Sequence, residues 1–175
     1  MSHHTSQFGL MVAYIVPGFV GLGGLVPILP IVGQWLEPVA QGELGLAPTA
    51  YALIGATAVG MIVSCVRWLL IDHLLHASGV KPPAWRTEQL AENMEAVVFV
   101  LENHYRYYQF YANTLVAIVW AYLVNRLSGH AALLGPGTDL GVALLSLVLL
   151  AGSRDALSKY YRRIEQLVSR PAEKG

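Results

Sequence analysis

The densest set of chemically capable side chains lies in "CVRWLLIDHLLHASG", residues 65–79 of the 175-residue chain. On a helix, Asp72 and His76 stand at i,i+4 and His73 and His76 at i,i+3, so the three meet on neighbouring faces. Donors of this kind can begin a metal site or pass a proton. A metal would still need a further ligand, and only Glu95, Glu102 and His104 are on offer, across the connection that follows. The plainer chemistry is structural. Arg67 near the end of an apolar run needs a carboxylate, and Glu102 and Asp155 are the expected partners. Asp72 stands five positions along, on another face of a regular helix. The reading is a cytoplasmic-face polar cluster of Arg67, Asp72, His73, His76, Glu102, His104 and Arg106, with no metal, no cofactor and no catalytic residue.

Other chemistry finds no motif. The sequence has no serine elbow, HExxH, paired CxxC or phosphate-binding loop. Gly21, Gly23 and Gly24 do not have the spacing of a dinucleotide fingerprint, and no strand precedes them. Cys65 is the single cysteine, so no internal disulfide can form. Net charge is zero, which leaves no overall basic field for nucleic acid.

The elements that must position these residues are apolar helices. Hydrophobic residues make up 55% of the chain and charged residues 13%, about half the share of a soluble domain. The expected fold is all-α, a single polytopic membrane domain over 1–175. Four spans are expected, at about 8–32, 49–75, 108–127 and 139–153, with cytoplasmic helical extensions at about 87–107 and 154–169. The fourth span is short and reaches across only if Asp139 and Arg154 lie near the two interfaces. Lys and Arg set the orientation. The connections at 33–48 and 128–139 contain none, whereas Lys81, Arg86 and Arg106, and then the tail from Arg154 to Lys174, are basic. Both termini are therefore expected in the cytoplasm. "MSHHTSQ" lacks a basic n-region, so the first apolar segment is expected to remain in the mature protein.

Five aromatic rings fill the seven positions from Tyr105 to Tyr111, where charged sequence meets apolar sequence. Tyrosine favours the headgroup level of a bilayer. Tyr105, Tyr107, Tyr108 and Tyr111 are thus expected as membrane-interface aromatics, with Glu102 and Arg106 as an i,i+4 ion pair. The first span is interrupted by Pro17, Gly18, Gly21, Gly24, Pro27 and Pro30. Its expected role is a kinked packing helix, or alternatively a broken helix lining a cavity. Pro17, Gly18, Gly21 and Gly24 are the expected contact with a second copy, because small residues let helices approach.

Several stretches together, "YIVPGFVGLGGL", "VRWLLIDHLLHASGVKPP", "ENHYRYYQFYANTLVA" and "SRDALSKYYRRIEQL", resemble small four-helix bacterial inner-membrane proteins. They are also similar to the membrane accessory proteins of RNA-targeting CRISPR systems. "RWLLIDH" loosely resembles the Arg–His spacing of HEPN-type ribonucleases, but Trp68 replaces their polar residue and the segment is apolar. The first resemblance brings no activity with it, and the second implies an accessory or pore-forming role at the membrane. The function expected is a non-enzymatic inner-membrane protein, self-associating as a pore or docking platform, in bacterial defence or stress response. The alternatives are an accessory subunit that anchors a cytoplasmic partner, or a membrane enzyme or metal site on Asp72, His73 and His76. The partners expected are membrane lipid, further copies of the chain and a cytoplasmic protein.

Overall fold

Glycine and proline decide where the helices stop. The computed structural model describes residues 3–42, 45–83, 94–129 and 135–168, without the side chains of 3–8, 10 and 168. Helix α1, His3–Gly23, ends in a glycine pair and gives way to turns. Helix α2, Pro30–Ala40, begins on proline, which is suited to a first helical turn because its missing N–H would have had no partner there. Helix α3, Leu46–Ala77, stops before Gly79, whose φ of +95° suits only glycine. Helix α4 covers 94–127 and is followed by Gly129 at φ +79°. Helix α5, Pro136–Val168, carries the fourth apolar segment and the basic tail as one helix. All regular structure among the described residues is helical.

Two expectations change. The segment 8–32 is not one span: α1 ends at Gly23, and the glycines with Pro27 and Pro30 separate it from α2. By length and hydropathy, two described helices can cross a membrane, Leu46–Ala77 and Pro136–Leu167. The apolar part of α1, Met11–Gly23, is shorter. In α4 the tyrosines, Gln109 and Asn113 dilute the apolar run. The extension at 87–107 is described from Met94 onward, and it continues into α4 without a break.

Contacts fix the helix directions. Gly9 lies beside Arg106, Ala13 beside Asn113 and Gly24 beside Ala121, so α1 and α4 run parallel. Gly60 meets Tyr14 and Gly55 meets Leu22, so α3 runs antiparallel to α1, with Gly18 against Ala56 and Gly60 at the crossing. Tyr105 meets Tyr160 and Tyr122 meets Asp139, so α5 runs antiparallel to α4. One end of the bundle thus gathers the starts of α1 and α4 with the ends of α3 and α5. Its core is Leu75, Tyr108, Ala112, Leu157, Tyr160 and Ile164.

The proline in α1 is matched by a side chain from α4. Pro17 has no N–H, so the carbonyl of Ala13, four residues earlier, loses its helical partner. The Asn113 amide nitrogen donates to that oxygen at 2.8 Å, and Asn113 is fully buried. Neighbouring helices supply such bonds when proline sits inside an apolar helix. Asn113→Leu is expected to destabilise the bundle by about 1–3 kcal/mol, the cost of an unsatisfied buried acceptor. Adding Pro17→Ala restores the backbone donor and should recover part of the loss. Thermal unfolding of the two variants checks this, and equal melting of Asn113→Leu and the parent protein would refute it.

Candidate functional site

Two π turns lie at the packed end of the bundle. One, Trp68–Asp72, interrupts α3; the other, Leu101–Tyr105, interrupts α4. In a π turn the backbone bond spans five residues instead of four, so side chains at i and i+5 come round to one face. Arg67 and Asp72 consequently pair, Nη1 to Oδ1 at 3.4 Å, although a regular helix would set them about 140° apart. Arg67 is only 5% exposed. Its guanidinium lies 5.1 Å from the centre of the Tyr108 ring, and the Tyr108 hydroxyl donates to Asp72. The three groups form one cluster, cation over aromatic face, hydroxyl on carboxylate and carboxylate beside cation, with Arg67 Nε left without a hydrogen-bond partner among the described residues.

The expected partners of Arg67 are therefore replaced. Asp155 accepts from Lys159 at 2.6 Å on the outside of α5. Glu102 lines an open groove beside α1. The expected Glu102–Arg106 pair does not form among the described residues. Arg106 turns toward α1, where Nη1 donates to Gln109 Oε1 at 2.9 Å and Gln109 in turn donates to the Tyr14 hydroxyl at 3.0 Å. Gly9 leaves room for the Arg106 stem.

Asp72, His73 and His76 do not converge. Asp72 faces Arg67 and Tyr108. His73 Nδ1 lies 3.2 Å from the Trp68 carbonyl of its own π turn. His76 Nε2 lies 3.2 Å from the Tyr161 hydroxyl, with the two rings stacked. Among the described residues no three His, Cys, Asp or Glu side chains are placed to hold a metal ion. His104 is partly buried beside α5. Burial, and then the charges of Arg163 and Lys159, hold its imidazole below the usual histidine range against an opposing pull from Asp155.

The tyrosines divide into two sets, which corrects the single interfacial belt. Tyr108 is fully buried, and Tyr105 packs between it and Tyr160 at centroid distances of 5.7 and 5.0 Å. Tyr107 and Tyr111 stack on one another at 6.5 Å and line the groove. Helical spacing is the reason: 105 and 108 share one face, 107 and 111 another.

Pro17, Gly18, Gly21 and Gly24 are all buried within one chain. A Cβ on Gly18 would strike the Ala56 carbonyl, one on Gly21 would meet Val59 at 2.8 Å, and one on Gly24 would meet the Ala121 backbone at 2.7 Å. The close-approach face of α1 is occupied by α3 and α4.

A second polar set, absent from the sequence reading, joins the far ends of α4 and α5. Arg126 Nη2 donates to both carboxylate oxygens of Asp139. Arg126 Nε donates to the Tyr122 hydroxyl at 3.1 Å, and that hydroxyl donates to Asp139 at 2.9 Å. The i,i+4 spacing of Tyr122 and Arg126, followed by one acid across a short connection, was the available signal.

No family model, curated protein or solved structure matches the chain.

Proposed function

We propose that the chain is a non-enzymatic, multi-pass protein of the bacterial inner membrane, whose packed end is a cytoplasmic docking platform. One observation carries the membrane part: α3 and α5 are of spanning length, and only 22% of the apolar stretch of each is buried inside the bundle. Leu53, Ile54, Ile62 and Leu69 on α3, and Leu140, Leu144, Leu147 and Val148 on α5, point outward. In water each such side chain forgoes about 1.5–3 kcal/mol of burial, whereas lipid tails solvate it. The alternating helix directions let α1 and α4 cross beside α3 and α5, with the start of α1 and the end of α5 on the side of the Arg67 cluster.

A platform fits better than a pore. Asp72, Gln109 and Asn113 hydrogen-bond across helices within a single chain, Arg67 packs on the Tyr108 ring, and the apolar stretches of α3 and α5 face outward. Self-association would have to use those outer faces, because the glycines of α1 are covered. The separate partners of Asp72, His73 and His76 favour a structural role over an enzyme or metal site.

Thiol accessibility tests the topology. In a Cys65→Ala background, Ala47→Cys is expected to react with an impermeant reagent in intact cells. Glu165→Cys is expected to react only after the membrane is opened. The reverse pattern would overturn the orientation, and recovery of the protein in the soluble fraction would overturn the membrane reading.

A further inference from the structure

We propose that the groove between the beginnings of α1 and α4 binds an aminophospholipid, with its phosphate on Arg106 and its ammonium on Glu102. This inference rests on the membrane reading above. The groove has a volume of about 930 Å³, at the upper end of the ~300–1,000 Å³ found for small-molecule sites. Its apolar walls come from Val12, Phe99, Tyr107 and Phe110.

The order of side chains along α4 matches the order of groups in the ligand. Glu102, Arg106 and Phe110 follow one another along α4 and all line the groove as a stripe, with the π turn at Leu101–Tyr105 falling between the first two. From the cytoplasmic side inward the stripe reads acid, base, aromatic ring. An aminophospholipid entering from the bilayer reads ammonium, phosphate, glycerol and acyl chain in the same direction. Tyr107 and Tyr111 flank the middle of the stripe, where interfacial aromatics belong.

Both charges are available for this. Glu102 and Arg106 do not pair with one another, and Glu102 has no ion pair among the described residues. The Arg106 guanidinium gives only Nη1 to Gln109, and its Nε is buried with no hydrogen-bond partner among the described residues. Arg106 lines the groove with its other terminal nitrogen, Nη2, unengaged among the described residues, and a phosphate oxygen is a strong acceptor for arginine.

The charge balance selects the headgroup. Glu95 and Glu102 line the same groove as Arg106, so among the described residues its rim carries two acids to one base. An anionic lipid would meet net negative charge. A quaternary ammonium brings positive charge but no N–H to donate. A primary ammonium brings both, three donors to carboxylate oxygens that can accept them.

Native mass spectrometry of the protein taken from vesicles of equal phosphatidylethanolamine, phosphatidylcholine and phosphatidylglycerol, with matched acyl chains, reads the preference directly. The parent protein is expected to retain one phosphatidylethanolamine at least about tenfold over either other lipid, as a charge-assisted bond implies. Glu102→Gln should bring retention down to the phosphatidylcholine level. Glu102 makes no ion pair among the described residues, so this variant is expected to fold, and the headgroup comparison on the parent protein needs no variant at all. Equal retention of the three lipids overturns the proposal. So does a preference for phosphatidylglycerol, or a lipid-free dimer with the groove closed by a second copy. A membrane-inserted protein with no lipid preference leaves the membrane reading standing, whereas a soluble protein removes both.

Discussion

Gly60→Leu is expected to abolish the folded bundle. A Cβ at Gly60 would lie against the Tyr14 carbonyl oxygen, and one at Gly18 against the Ala56 carbonyl oxygen. These are reciprocal backbone contacts between α1 and α3, so no side chain can rotate away to make room. Overpacking a core ordinarily costs about 1–3 kcal/mol. Here the whole seam must open, which also pulls Gly21 away from Val59 and Val63. With a total stability of about 5–15 kcal/mol for an ordinary domain, the variant should run as misfolded or degraded material. Gly141→Ala is the matched control. It lies inside α5 with nothing within 4 Å of the added carbon, so it should be neutral or stabilising by up to about 1 kcal/mol. Size-exclusion profiles and thermal unfolding in detergent measure both. A Gly60→Leu protein that melts with the parent would show that α1 and α3 do not cross at these glycines.

This seam was half legible in the sequence. The glycines of α1 stand out beside three prolines and announce close approach, but composition does not say to what. Their counterpart in α3 is the series Ala52, Ala56, Gly60, small residues at every fourth position, all buried. Read together, the two series specify an intramolecular crossing, and reading only the first led to a contact between copies. The break after Gly23 was visible in the glycine and proline spacing and was lost because hydropathy alone joins 8–32 into one run. The tyrosine cluster was seen as a boundary, yet its division into 105 with 108 and 107 with 111 follows from i,i+3 and i,i+4 spacing and needed no coordinates. The groove was not legible, because it depends on how the start of α1 lies against α4.

Asp72 carries the other large expected effect, and regular helix geometry does not pair it with Arg67. Five positions on a regular helix point away from Arg67, but the π turn at Trp68–Asp72 brings them together. Nothing in "VRWLLID" marks a π turn by composition. The physical signal is the problem the turn solves, an arginine that must be neutralised inside an apolar end, where Asp72 is its carboxylate partner among the described residues. Removing the acid leaves a cation that is 5% exposed beside a tyrosine ring, and breaking a buried pair from one side costs about 3–5 kcal/mol. Asp72→Leu should therefore be severely destabilising. Removing both charges is different in kind, since apolar side chains of similar volume often replace a buried pair at little cost. Arg67→Met with Asp72→Leu is expected to melt well above Asp72→Leu alone, with a coupling of about 2–3 kcal/mol in a double-mutant cycle. Tyr108→Phe removes only the hydroxyl that donates to Asp72, and it should cost about 1.5–3 kcal/mol while the cation keeps its ring. Simple additivity of the Arg67 and Asp72 changes would mean that the two side chains do not share a site, and the π turn would then need another cause.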